Sequence, residues 1–591
     1  MHLNARPGGG LGRFVRPWLI AASAMLLCAA QMVQPAQAGY RDLMGYPELE
    51  ALLGEAVPTG AGLHVGIIEG TNNADNYMPD VGHAELVNKT FTNQTDDGDG
   101  SSSHATHVAR NFVGSNTSIA PDIDTIDVWS ANDWLREGFL NAGHRSLPQQ
   151  SNVRIFNHSW IGNSSSADEM LRRIDYVVDQ HRHVQVVGVP NAGQDDWPLL
   201  KDAYNVIAVG RTDGSHVSGS TAVDGLYTDN RVAPTLVATG HNPANTTVAT
   251  SWATPQVAAG TALLMEAGQD TSLSNGTLSH ATGAIPHAQA PQVLKASLMA
   301  GADRHVINAR GANLTDYQVN TSNNLDSHYG AGQMNIYNSY RILAAGEQDS
   351  REAGGPATIA ETGWDYGLGF GGAGGSDTVA SYGFSISPDV ASASLQASLA
   401  WNLSVEGQAG GPPPHVPATF DAVLHELHLM LYDVTADPTP MMDASSLSDI
   451  HNTQNIYFTD LEPGRDYDMR VVAADGQDPF SLDYALAWQI MTEPAVLLGD
   501  MNLDGVVDTA DVAPFVLALT DPETYKSQFD VTQATMIALG DINQDGVFDT
   551  ADVAPFVQLL VGGDSTTVPE PGSLALLSLS GLLLLRRRPR R

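Results

Sequence analysis

The segment Ala249-Thr250-Ser251-Trp252-Ala253-Thr254-Pro255-Gln256-Val257-Ala258 sets a serine at the start of an apolar run, whose spacing predicts a helix over Trp252–Ala267. Pro255 reads as a first-turn proline, where a missing N–H costs little. A serine hydroxyl is a weak nucleophile at neutral pH. It needs a histidine base, and that base needs a carboxylate to fix its tautomer and stabilise its cation. Both partners are available upstream. Ser103-His104-Ala105-Thr106-His107-Val108-Ala109 opens a second helix with a histidine after an acidic Gly/Ser loop, and the apolar run Leu63–Ile68 ends in Glu69. Acid, histidine and serine follow one another along the chain.

The surroundings fit an α/β frame. Leu63–Ile68, Val153–Asn157, Val184–Val189 and Val206–Val209 read as buried parallel strands, and Trp134–Asn141, Asp168–His181 and Trp252–Ala267 as helices. Alternation of this kind over residues 39–350 predicts a doubly wound parallel sheet with its site at the carboxyl ends of the strands.

These segments resemble the subtilisin-like serine peptidases, whose His-Gly-Thr-His-Val-Ala and Gly-Thr-Ser-Met-Ala-Ser-Pro patterns recur here with conservative changes. Ile119-Ala120-Pro121, Phe156-Asn157-His158-Ser159-Trp160, Val187–Gly193, Val206-Ile207-Ala208-Val209-Gly210 and Gly330-Ala331-Gly332-Gln333-Met334-Asn335 follow in the family's order, so the resemblance spans about residues 60–345. It implies a serine endopeptidase acting on proteins or peptides. Ser251 would be the nucleophile, His104 the base, Asn191 the side-chain donor to the oxyanion, and Ser159-Trp160-Ile161-Gly162 the cleft wall. His107 reads as structural. The family's aspartate is replaced by Glu69, with Asp75 and Asp80 as alternative carboxylates. Arg110 and Ala249 stand where the family has glycine. The stretch from Ala38 to Glu69 leaves no room for an inhibitory propeptide. The rival reading is a non-catalytic subtilase fold used for binding or scaffolding; a polysaccharide-degrading component lacks paired catalytic carboxylates in a supporting context.

Charge narrows the partners. The 591 residues hold 28 Lys+Arg against 66 Asp+Glu, a net charge of −38. Eight arginines sit in residues 1–38 and 586–591, which contain no acid, so the body is more negative still. Such a surface repels phosphate backbones and attracts cations. The single cysteine, Cys28, excludes disulfides and thiolate chemistry from the body.

Both termini carry sorting patterns. Arg13 and Arg16, the apolar Trp18–Ala30 and Ala36-Gln37-Ala38 read as a cleavable signal peptide over 1–38. Residues 568–591 join Pro569-Glu570-Pro571, an apolar Leu574–Leu585 and five terminal arginines. About 20 Å of helix falls short of a ~30 Å bilayer core. This arrangement resembles the PEP-CTERM sorting signal, which implies transient membrane anchoring, an exosortase-type processing enzyme and, after Sec-type export from a bacterium, secretion or surface display.

Between these lie a Gly-rich linker (351–378), a β-sandwich (379–491) with strands at Ser394–Leu403, Glu426–Val434, Asn455–Phe458, Tyr467–Ala473 and Ser481–Ala487, and a duplicated module (497–562). In the module Thr-Ala-Asp-Val-Ala-Pro-Phe-Val occurs at both 509–516 and 550–557. Ahead of and within it, Asp500, Asn502, Asp504, the Val506 carbonyl, Asp508 and Asp511 keep the spacing of a calcium loop around Gly505. Asp541, Asn543, Asp545, the Val547 carbonyl, Asp549 and Asp552 repeat it around Gly546. Aspartate at position twelve and a single helix after each loop resemble type I dockerin. The resemblance implies two Ca²⁺ ions and a cohesin-like partner, engaged near Thr509-Ala510 and Thr550-Ala551.

Overall fold

The computed structural model describes residues 40–71, 76–95, 98–305, 314, 316–372, 377–411, 416–436, 441–494, 497–529 and 531–562. The segments read as signal peptide (1–38) and sorting signal (568–591) lie outside these residues, as does Asp75. Among the described residues no helix is long and apolar enough to cross a membrane.

Seven parallel strands form the central sheet: β1 (His64–Glu69), β2 (Thr90–Asn93), β3 (Thr125–Ser130), β4 (Ile155–His158), β5 (Val184–Gly188), β6 (Ile207–Arg211) and β7 (Leu236–Ala238). Their order is β2-β3-β1-β4-β5-β6-β7. The chain therefore builds outward on both sides of β1, placing a topological switch point at its carboxyl end. Register carries Glu69 opposite Ser130 and Ile68 opposite His158, so these strands end together. Val65, Ile67, Ile155 and Val186 are fully buried, as strands covered on both faces require.

Helix α1 (Ser103–Val113) starts on Ser102, whose Oγ accepts from the Ala105 N–H at 3.0 Å. Helix α2 (Thr250–Ala267) is buried almost all round and runs beside α1 against the sheet. Its close approach needs Gly188, because a Cβ there would sit 2.7 Å from Thr254 Oγ1. Pro255 falls in the second turn of α2, one turn later than the sequence suggested, and so withholds the N–H that Ser251 O would accept. The Ser159 hydroxyl donates to that carbonyl instead, at 3.1 Å.

Two expectations are corrected. The helix expected over Trp134–Asn141 is one turn, Ala131–Asp133, followed by a wide turn broken at Arg136 (φ −102°, ψ −108°). The chain folds back there, and buried Trp134 stacks on Phe139. The Gly-rich stretch is also not simply a linker, because Thr362–Phe370 is a strand of the sandwich. Gly363 and Gly367 seat aromatic rings of the adjacent strand: added Cβ atoms would lie 2.7 Å from Trp488 and 2.3 Å from Tyr484. Glycine here makes room for packing.

The sandwich pairs two four-stranded antiparallel sheets. One comprises Thr362–Phe370, Leu482–Pro494, Val390–Trp401 and Thr453–Leu461; the other comprises Val379–Ser385, Asp466–Ala473, Leu427–Asp433 and Met441–Ser446. It packs onto the α/β domain through helix α3 (Pro291–Ala300), and Trp364, Tyr366 and Ala487 join the main core. Gln489 Nε2 donates to Ala300 O at 2.9 Å, and Asn452 Nδ2 donates to Tyr204 O at 3.0 Å.

In the duplicated module, the turn and helix after each loop (Thr509–Thr520 and Thr550–Gly562) are joined by helices at Pro522–Phe529 and Gln533–Gly540. Phe515 and Phe556, equivalent residues of the two repeats, stack face to face at 4.0 Å in its core.

Candidate active site

The carboxyl ends of β1, β4 and β5 and the first turn of α2 enclose a cleft of about 290 Å³, lined by Glu69, His104, Ser159, Trp160, Asn191 and Ser251 among others. All four residues singled out for catalysis therefore meet in one place. Glu69 Oε2 lies 2.8 Å from His104 Nδ1. The carboxylate side chain is 1% exposed and the imidazole 32%, so a buried acid holds a ring whose other face meets the cleft. Glu69 Oε1 is buried and has no hydrogen-bond partner among the described residues. The end of β1 and the His104 bond position this acid.

Burial disfavours a charged His104 ring, but the Glu69 charge and hydrogen bond together outweigh it, raising the pKa above the ordinary imidazole value. With Nδ1 committed to Glu69, Nε2 is the nitrogen left for a reacting proton. Among the described residues no hydrogen bond joins Ser251 Oγ to this ring; contacts of this kind commonly tighten only when substrate is bound.

Asn191 is anchored twice. Its Oδ1 accepts from the Thr250 N–H at 3.0 Å, and its own N–H donates to Gln194 Oε1 at 2.7 Å. Fixing the amide oxygen leaves Nδ2 as the free donor end. The positive end of α2 adds to the field at Ser251.

Sequence reasoning missed two contributors. Trp252 lies 5.0 Å from His104 and 5.5 Å from His107, ring centroid to ring centroid, and covers the base. Its position directly after Ser251, where the family pattern has methionine, was the available signal. Gln194 braces the Asn191 loop and had no signal beyond proximity in the chain. His107 packs on Trp252. Burial together with the neighbouring Arg110, His104 and His83 charges depresses its pKa. Asp80 caps its own turn, its Oδ1 accepting from the Gly82 N–H at 3.0 Å. Arg110 is held by Glu85 at 2.6–2.8 Å, an ion pair within the fold.

Residues 64–332 match the sequence model of the subtilase family. This region is a subtilase domain. Members of that family are serine peptidases. Solved structures similar to the chain include a cold-adapted subtilisin-like serine proteinase (20% identity, 43% of this chain and 88% of that one, TM-score 0.29). Others are tripeptidyl peptidase 2 (11%, 66% and 40%, TM-score 0.26) and the PatG macrocyclase in complex with peptide (15%, 52% and 98%, TM-score 0.34). No curated protein matches the chain.

Beyond the subtilase domain, the two acidic loops repeat one hydrogen-bond pattern. Asp511 accepts from the N–H groups of Asn502 and Asp508 at 2.9 Å, and Asp552 from those of Asn543 and Asp549 at 3.1 and 2.9 Å. Gly505 and Gly546 take φ of +81° and +89° to make the turn. Asp500, Asp511, Asp541 and Asp552 are buried, while Lys526, the only base in residues 497–562, pairs with Glu523. Burial pushes the Asp511 carboxyl up, and the Asp500 charge adds to it. Buried carboxylates without a basic partner, spaced as oxygen donors, fit a hard divalent cation.

Proposed function

We propose that this protein is an exported serine endopeptidase that hydrolyses peptide bonds through an acyl-enzyme on Ser251. The observation that carries the reading is the 2.8 Å bond from Glu69 to His104 in the cleft that Ser251 and Asn191 also line. Glutamate adds a methylene, yet its carboxylate still reaches Nδ1. In this scheme Ser251 Oγ attacks the scissile carbonyl as its proton passes to His104 Nε2. Glu69 stabilises the imidazolium, and Trp252 adds a π-face beside it. The developing oxyanion takes hydrogen bonds from Asn191 Nδ2 and the Ser251 N–H, a side-chain donor of this kind being worth about 2.7–4 kcal/mol. His104 then returns the proton to the leaving amine, and water repeats the cycle. The test is labelling with a fluorophosphonate: a single adduct mapped to Ser251 supports the reading. Absence of an adduct on folded, calcium-supplied protein would leave the scaffold alternative.

The same proposal assigns Ca²⁺ to the two loops and a dockerin-like tethering role to residues 497–562, with a cohesin-like module as partner. Export, exosortase-type processing and surface or secreted location follow from the terminal sorting patterns. Binding through Asp500, Asp504, Asp508 and Asp511 and their counterparts would relieve the repulsion among them. EGTA is therefore expected to unfold the module, with loss of far-ultraviolet circular dichroism from its helices and exposure of 497–562 to protease. A spectrum and digestion pattern unchanged by chelation would contradict this.

A further inference from the structure

The backbone that carries Asn191 is paired, antiparallel, with a short loop that follows β6. The Ala192 N–H donates to Ser215 O at 3.2 Å, and the Val217 N–H donates to Pro190 O at 2.8 Å. These two bonds flank Asn191 and its partner in the pairing, His216. Asn191 lines the cleft; His216 does not. The placing of Asn191 therefore depends on a loop outside the cleft lining.

His216 fixes that loop through both ring nitrogens. Its Nδ1 accepts from the N–H of Arg211, the last residue of β6, at 3.1 Å, and its Nε2 donates to His328 O at 2.8 Å. The first bond settles the tautomer, since a ring nitrogen that accepts from an amide carries no proton. The residue is 4% exposed, and its ring lies over Gly210, where an added Cβ would come within 2.8 Å of Nε2. His328 stacks on it, ring centroids 4.5 Å apart and planes 10° from parallel, and His328 Nε2 donates in turn to Gly214 O. Arg211 closes the loop from the side: Nη1 donates to Ser215 O at 3.1 Å, and the guanidinium pairs with Asp213. Strand β6, the loop at 213–217 and the turn at 326–330 are thus joined through one neutral imidazole. Burial, with His328 adding to it, presses the His216 pKa down to about 4, against the pull of the His328 carbonyl and of Asp213. His104 titrates above the ordinary imidazole value, so His216 keeps the required tautomer wherever that base is neutral.

We propose that His216 is a positioning residue for the oxyanion donor: by holding the 213–217 loop to β6 and to the 326–330 turn, it fixes the 190–192 backbone and with it the Asn191 amide. The kinetic consequence rests on the serine peptidase reading; the ordering of the backbone does not. The test compares the full chain, with calcium present, as native protein, His216→Ala, Asn191→Ala and the double variant. Deleting a side-chain oxyanion donor costs about 10²–10³ in kcat, and a donor kept but released from its place should cost less. His216→Ala is therefore expected to lower kcat by about 10- to 100-fold, with KM changed by less than about twofold. Added to Asn191→Ala, the same substitution should cost almost nothing, because no amide is left to misplace. A role confined to stability would slow both backgrounds alike. Amide exchange followed by mass spectrometry is independent of activity: peptides covering 190–194 and 213–217 should exchange about tenfold faster in His216→Ala as the Ala192 and Val217 bonds loosen. If His216→Ala does not fold, His216→Asn, whose amide oxygen replaces the Nδ1 acceptor but not the Nε2 donor, should shift both readouts in the same direction. A folded variant with native kcat, equal losses in the two backgrounds, or unchanged exchange over both peptides would overturn the proposal. A native chain that hydrolyses no peptide would instead sink the peptidase reading, and the exchange comparison would still decide the role of His216.

Discussion

Ser251→Ala is expected to abolish peptide hydrolysis, lowering kcat by ~10⁶-fold with little change in KM, since removing the nucleophile of such a relay costs about as much as removing the whole relay. The hydroxyl sits on the first turn of α2 and makes no hydrogen bond among the described residues, so its loss should leave the melting temperature almost unchanged. That combination separates chemistry from folding. Casein hydrolysis at the native rate by Ser251→Ala would assign the activity to a contaminant and favour a binding role for the fold.

Glu69→Gln is expected to lower kcat by about 10⁴-fold. The amide is nearly isosteric and still reaches Nδ1, but it can present an N–H where a carboxylate only accepts, and it no longer stabilises the imidazolium. The pH dependence carries an independent signature. In the native protein burial opposes the charged ring, but the Glu69 charge and hydrogen bond prevail and raise the His104 pKa. The neutral, reactive base is thus lost as pH falls through a value above the usual ~6.5 of imidazole. Without the Glu69 charge, burial acts unopposed, so the acid limb of kcat/KM should move to lower pH. A scaffold role for Glu69 would change the melting temperature and leave that limb unmoved.

Much of the architecture was legible because its signals are local. β-branched runs marked β1, β4, β5 and β6 to within two residues. That Glu69, His104 and Ser251 meet in one cleft was legible because a serine–histidine–acid relay requires those residue types, here in acid, histidine, serine order on an α/β frame. The features that escaped depend on distant partners. Thr362–Phe370 hides among glycines whose use is visible only when Trp488 and Tyr484 of the neighbouring strand lie over them. The short edge strands β2 and β7 lack a long apolar run. Pro255 could be placed a turn too early because the carbonyl it orphans is satisfied by Ser159, 92 residues upstream. Trp252 acts through its contact with His104, which no spacing rule predicts.

The most direct measurement is the rate at which a fluorophosphonate modifies Ser251 as a function of pH, followed by peptide mass spectrometry in the native and Glu69→Gln proteins. The glutamate-based relay predicts one adduct, on Ser251, with an acid limb above ~6.5 in the native protein and a lower, far slower one in the variant. Modification of another residue, or a Ser251 rate indifferent to the loss of Glu69, would contradict it.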